Sequence, residues 1–320
     1  MKRRNVFIVI IGLVIVLITI ALLLYARIRS GAVVLGLPSG ELTFNSDRTG
    51  VWDIFTINSD GVLLNLTDDG AGQDYFPSWS FDSVMVNFLT ERTGEMGPGQ
   101  VEHDGNNLHT LGIAEAIIVV VRDGRTNWDP AWSLNTDMIA WSSLRDFNLE
   151  IYVSDSDGEN LQRITNDGGY DWFPAWSPDG TKITFSSDRD GNQNIYLFDL
   201  ESTTLTQLTD DPFDEILSMW SLDGNSILYI YDVDDMMMVG HLNFFVMDVD
   251  GSNKRPLNED EIFKGDPTYS ADGSQIAYIS NERGNWDIYV MDADGDNVRS
   301  VTDDESNDLF PVWRPVPKDE

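Results

Sequence analysis

The sequence predicts an all-β fold, a six-bladed β-propeller closed by strands from both termini, and three observations carry that reading. First, an aromatic residue in a P-x-W-S-like strand recurs at Trp79, Trp132, Trp176, Trp220, Tyr269 and Trp313, with steps of 53, 44, 44, 49 and 44 residues. A period of about 40–50 residues belongs to a four-stranded blade, a unit that cannot bury its faces alone. Second, each copy holds four short apolar runs separated by turn residues, the pattern of an antiparallel meander. Third, the terminal copies are incomplete in complementary ways. The stretch 41–67 lacks a first strand, and the chain ends in Phe310-Pro311-Val312-Trp313, a first strand without the other three. Joined, they make one blade, and closure removes the open sheet edges.

In the clearest copy the four runs are FPAWS (173–177), KITFSS (182–187), NIYLFDL (194–200) and LTQLT (205–209). The first turn reads Ser177-Pro178-Asp179-Gly180, with variants at Ser221–Gly224 and Ser270–Gly273. Pro presets one turn dihedral, Asp bonds back to the backbone and Gly accepts positive φ. The third turn is D-x-D-G-x-N at Asp155–Asn160, Asp248–Asn253 and Asp292–Asn297. The terminal blade counts as blade 1. Two blades depart from the pattern. In blade 2, Met96–Gln100 has lost the I-Y-V core, and an apolar insert, Gly112–Val121, follows. In blade 5, Tyr231–Leu242 replaces the arginine-bearing turn and brings Met236, Met237 and Met238 together. Adaptable Met clusters serve contact surfaces; the other reading of both inserts is repacking of the blade.

One transmembrane helix is expected before the propeller. Val6–Ala26 is 21 uncharged residues, enough at about 1.5 Å each to span about 30 Å of hydrocarbon. Lys2, Arg3 and Arg4 precede it and favour a cytoplasmic N-terminus. The alternative, a cleaved signal peptide, has a shorter apolar region ending in small residues, whereas this one ends in Leu-Leu-Leu-Tyr. The expected organisation is a signal-anchor at 1–26, a linker at 27–40, the propeller at 41–315 and a tail at 316–320. The propeller then lies on the extracytoplasmic side of the cytoplasmic membrane.

Residues 1–29 carry five basic side chains and no acid, so the remainder sets 15 basic against 54 acidic side chains, a formal −39. Such a field repels nucleic acid and anionic lipid, which excludes a nucleic-acid partner. Cations, basic peptide segments and neutral glycans are compatible with it. The chain has no cysteine, which excludes disulfides, thiol catalysis and Cys-based zinc sites.

The order W-S-P-D-G, I-x-F-x-S-x-R-x-G, D-I-Y-V-M-D-x-D-G and L-T is best kept in Pro174–Leu200 and Tyr269–Thr302. It resembles the propeller repeat of the TolB-like family over about residues 41–315. The resemblance implies six blades, an extracytoplasmic setting and contact with another protein.

Blade-to-blade loops and second-to-third-strand loops share one face of a propeller. The first carry an Asp just before each aromatic landmark: Asp74, Asp129, Asp171, Asp214, Asp266 and Asp308. The second carry Arg48, Arg92, Arg145, Arg189 and Arg283, with none in blade 5. The sequence therefore predicts six carboxylates near the channel mouth with five guanidiniums beside them. One reading pairs them into locks between neighbouring blades. The other is an acidic funnel for a cation, a basic peptide or a sugar, centred on Asp214, whose blade lacks the arginine. The D-x-D-G-x-N loops admit a weak calcium site, although an EF-hand loop needs a ligand-bearing acid at position twelve with flanking helices, and these loops connect expected strands; no cofactor is otherwise expected. No G-x-S-x-G elbow occurs, and His103, His109 and His241 have no metal-ligand spacing. The reading is a membrane-anchored, non-catalytic module that binds or scaffolds another extracytoplasmic or membrane protein. The alternatives are a glycan hydrolase or lyase, and a cation- or ligand-binding sensor.

Overall fold

The computed structural model describes residues 37, 39–80, 83–94, 97–110, 127–133, 135–155, 158–232, 242–257 and 262–316. Its 24 strands form six four-stranded antiparallel sheets. Blade 1 begins with β1 (Leu42–Ser46), β2 (Asp53–Ile57) and β3 (Leu63–Asn65). Blade 2 is β4 (Asp74–Trp79), β5 (Met85–Thr90), β6 (Gly97–Glu102) and β7 (His109–Thr110). Blade 3 is β8 (Asn127–Trp132), β9 (Met138–Ser143), β10 (Glu150–Asp155) and β11 (Gln162–Arg163). Blade 4 is β12 (Asp171–Trp176), β13 (Lys182–Ser187), β14 (Asn194–Asp199) and β15 (Thr204–Gln207). Blade 5 is β16 (Asp214–Trp220), β17 (Ser226–Asp232), β18 (Leu242–Asp248) and β19 (Arg255–Pro256). Blade 6 is β20 (Lys264–Tyr269), β21 (Gln275–Ser280), β22 (Asp287–Asp292) and β23 (Arg299–Ser300). The last strand, β24 (Asp308–Trp313), pairs antiparallel with β1, Leu42 opposite Trp313 and Ser46 opposite Asp308. The expected joining of the two termini in one blade is thus observed.

In blades 1, 3, 4 and 6 the second and third strands are buried along nearly their whole length, as in β21 and β10, because a neighbouring blade covers each face. One core cluster joins Leu42, Phe44, Phe55 and Ile57 of blade 1 to Ala277, Ile279, Ile288 and Val290 of blade 6. Side chains on β15, an outermost strand, are exposed. Two of the landmark indoles tie blades together: Trp176 Nε1–H donates to Ala131 O at 3.0 Å, and Trp220 Nε1–H to Thr184 Oγ1 at 3.0 Å. In blade 2 the altered third strand still pairs. A Cβ on Gly99 would collide with the ring of Phe88, its cross-strand partner.

Every innermost strand carries a register shift just before its landmark aromatic. At five of these bulges the residue three before the landmark has positive φ: Phe76 at 55°, Phe173 at 52°, Leu217 at 53°, Asp266 at 47° and Phe310 at 54°. Such a backbone is strained for bulky residues and persists only where the surroundings impose it. Here the surroundings are visible. Asn45 of blade 1 accepts the Phe76 N–H at 2.9 Å and donates to Asp74 O at 2.6 Å. Ser186 of blade 4 likewise accepts the Leu217 N–H at 3.2 Å. A proline follows four of the five, and a bulge tolerates its missing donor.

Among the described residues no helix is long and apolar enough to cross a membrane. The apolar stretch Val6–Ala26 lies outside the described residues, as do Gly112–Val121, Met236, Met237, Met238 and His241.

Candidate functional site

The structure divides the six expected ring aspartates into three groups. Asp74, Asp171 and Asp308 each stand five residues before the landmark, have no exposed surface, and meet the arginine of their own blade. Arg92 Nη2 lies 2.5 Å from Asp74, Arg189 Nη2 2.8 Å from Asp171 and Arg48 Nη2 2.8 Å from Asp308. Each arginine also reaches a carboxylate on the loop arriving from the preceding blade: Asp69 at 3.2 Å, Asp167 at 2.7 Å and Asp304 at 3.2 Å. The guanidiniums are held over aromatic rings, Arg189 at 4.5 Å from the Tyr196 centroid and Arg48 at 4.8 Å from Phe55. These three modules are locks between a blade and the loop that enters it.

Asp214 is displaced by one position. Its Oδ1 accepts the Gln193 N–H at 2.7 Å, and Glu215 takes the place equivalent to Asp171, opposite Tyr231. Glu215 has no exposed surface, and neither of its carboxyl oxygens makes a hydrogen bond of good geometry. Burial pushes it up to about 8; the Thr209 hydroxyl opposes the shift and the Asp211 carboxyl adds to it. Blade 5 is expected to leave Asp214 beside no arginine; the position of the lock aspartates is instead filled by Glu215, which no arginine meets among the described residues.

Asp129 and Asp266 stand three residues before their landmarks, at the bulge. Position five before the landmark is Asn127 in blade 3 and buried Lys264 in blade 6. The expected ring of six equivalent carboxylates is therefore corrected to three aspartates, one glutamate, one asparagine and one lysine. The Asp129 side chain lies outside the described set. Arg145 stacks at 4.5 Å on Tyr152, and Arg283 Nη1 donates to Ser300 Oγ at 3.2 Å.

Burial pushes Asp171 and Asp308 each to about 6, against the pull of their hydroxyl and arginine partners. Asp287, next to Asp308, is raised to about 7 by burial and then by the charge of Asp308. Glu150, Asp167 and Asp171 bring carboxylate oxygens within 4.8 Å of one another, a grouping able to hold a cation. Arg163 Nη2 sits 2.6 Å from Glu150, so two guanidiniums already neutralise that cluster. In the D-x-D-G-x-N loops the last Asn donates to the first Asp, at 2.6, 2.7 and 2.6 Å in blades 3, 5 and 6, and takes positive φ. Turn chemistry accounts for those residues.

The bulges build a feature absent from the sequence reading. A cavity of 370 Å³ opens on the channel between the innermost strands of blades 1, 2, 5 and 6. Phe76, Leu217, Met219 and Phe310 line it with Asp266. The Phe76 and Phe310 rings lie 4.6 Å apart, and Phe76 is 51% exposed. Asp266 is raised to about 6 by burial alone. A residue-to-landmark spacing of three, against five, is the signal that would have separated the bulge residues from the lock residues.

Residues 108–240 match the TolB beta propeller domain family. The chain carries a TolB-like six-bladed propeller. It superimposes on TolB from Acinetobacter baumannii with a TM-score of 0.67 at 18% identity, covering 88% of this chain and 68% of that one. For the putative TolB from Agrobacterium tumefaciens the values are 0.58, 21%, 86% and 91%. The oligogalacturonate lyase from Vibrio parahaemolyticus gives 0.51 at 11%, covering 82% and 74%. At these identities the likeness is one of fold, and the same architecture carries unrelated activities. A search of curated proteins found no match.

Proposed function

We propose that this TolB-like propeller is a membrane-tethered, extracytoplasmic binding module that engages another protein through its channel face, without catalysis of its own. The observation that carries the reading is the division of labour between two ring positions. The lock aspartates are buried against arginine and present no charge to a ligand. The bulge residues instead hold apolar side chains in the channel, on a backbone whose strain the fold must offset. Exposed aromatic side chains at a cavity are the usual anchors of protein recognition. The apolar segment at 6–26 supports the tether, and the formal −39 of the remainder supports a partner that presents basic groups. The glycan-cleaving alternative has less support. Hydrolytic cleavage uses two carboxylates about 5–9.5 Å apart across the scissile bond, and the described lining of the cavity contains one, Asp266.

Affinity capture from detergent-solubilised membranes tests the reading, with the full chain as bait. The expected result is one partner retained by the wild type and by Asp68→Asn, and lost with Phe76→Ser combined with Phe310→Ser. Equal retention by all three baits would exclude the channel face.

A further inference from the structure

Three observations meet at the channel cavity. Its walls are apolar, formed by Phe76, Leu217, Met219 and Phe310. Its one described ionisable group is Asp266, part-exposed to the cavity, with no ion pair or hydrogen bond among the described residues. Asp266 also occupies a bulge position filled by Phe or Leu in blades 1, 2, 4 and 5, at a φ of 47°. An unpaired carboxylate on an apolar, strained shelf costs stability. It is poorly solvated and ready to be neutralised by a cation.

We propose that the channel cavity is a binding site for a primary ammonium on an apolar stem, with Asp266 pairing the ammonium and Phe76, Phe310 and Leu217 packing the stem. The chemistry follows from the walls. Aromatic faces and a carboxylate together attract an organic cation, and partial burial strengthens the pairing relative to water. The volume suits a single side chain or a small amine and is too small for a folded segment. A strongly hydrated metal ion would find one carboxylate among hydrocarbon walls, a poor exchange for six or more oxygens. The backbone register places Asp129 at the equivalent bulge of blade 3, three blades from Asp266 in a ring of six, so the ring carries its two acidic positions opposite one another. The bulge neighbours facing Asp266 from β4, β16 and β24 are Phe76, Leu217 and Phe310, none of which titrates. The site therefore binds when Asp266 is ionised, and binding weakens as pH falls through about 6.

The inference takes from the proposed function only that the channel face is the recognition face. The two fail separately: partner capture can succeed while amines do not bind, and the reverse. Titration of the full chain in detergent, followed by ligand-observed NMR, tests it with four probes. Pentylamine and N-acetyl-lysine methylamide carry the ammonium as a free amine and as a peptide side chain. Pentanol and N-acetyl-norleucine methylamide are their uncharged counterparts. The expected result is a preference of about tenfold or more for at least one amine over its counterpart. That preference is lost in Asp266→Asn and kept in Asp60→Asn, a distant exposed acid that controls for the general negative field. Asn tolerates positive φ, so Asp266→Asn is expected to fold, and circular dichroism checks this. Preference for the lysine probe alone assigns the site to a polypeptide partner, and for pentylamine alone to a free amine. Equal binding of charged and uncharged probes, no binding by either amine, or an unchanged preference in Asp266→Asn would overturn the proposal.

Discussion

In three blades an arginine stands against the buried lock aspartate, and the second-to-third-strand loop of blade 5 supplies none. Glu215 answers that absence by keeping its proton. Its folded value of about 8 lies above that of a free carboxyl, so folding takes up a proton that unfolding releases. The stability this contributes is complete below the ordinary carboxylate range and is lost as pH rises through about 8. Asp171 and Asp308, at about 6, and Asp287, at about 7, act with the same sign over a lower window. Urea unfolding is therefore expected to give a larger free energy at pH 5.5 than at pH 8.5. Glu215→Gln should shrink that difference by on the order of 2–3 kcal/mol. An unchanged difference would show that Glu215 is ionised in the fold. This role was only partly legible in the sequence. The missing arginine of blade 5 was visible, but choosing the Asp nearest the landmark selected Asp214 and passed over Glu215. Asp-to-landmark spacings of five, six and three residues separate locks, neighbours and bulges. The spacing gains meaning only once the bulge, which reverses side-chain alternation, is seen.

The innermost strand of each blade is the element that ties fold to site. A β-bulge interrupts it; in five blades the bulge residue has a left-handed backbone, and in four of these its side chain lines the channel cavity. Phe, Leu and Asp all occupy this position, so its side chain is not dictated by the fold. Phe173, at a φ of 52°, provides the test. Phe173→Asn is expected to leave the denaturation midpoint nearly unchanged, since Asn accepts this backbone. Phe173→Val, whose branched Cβ does not, should lower stability by about 1–3 kcal/mol. Equal effects would mean that the bulge imposes no conformational demand. The bulge could not be read from the sequence because F-P-x-W looks like an ordinary alternating strand. The proline after five of the six bulge residues was the one local hint.

For the whole molecule, the repeat explains most of what was legible. Period, turn residues and the complementary broken copies determine six blades and their closure by β24 on β1. Every blade must satisfy the same packing rules, so the pattern is written six times. A recognition surface is written once, in side chains that the repeat leaves free, and is correspondingly faint. The account assigns regular positions to stability and the variable bulge ring to recognition. Site-directed photo-cross-linking of the full chain in intact cells tests that assignment most directly. A photoreactive residue replaces either Phe310, in the channel, or Val298, half-exposed just before β23, a blade's outermost strand. The account predicts a discrete cross-linked partner from position 310 and none from position 298. The same product from position 298, with none from position 310, would contradict it.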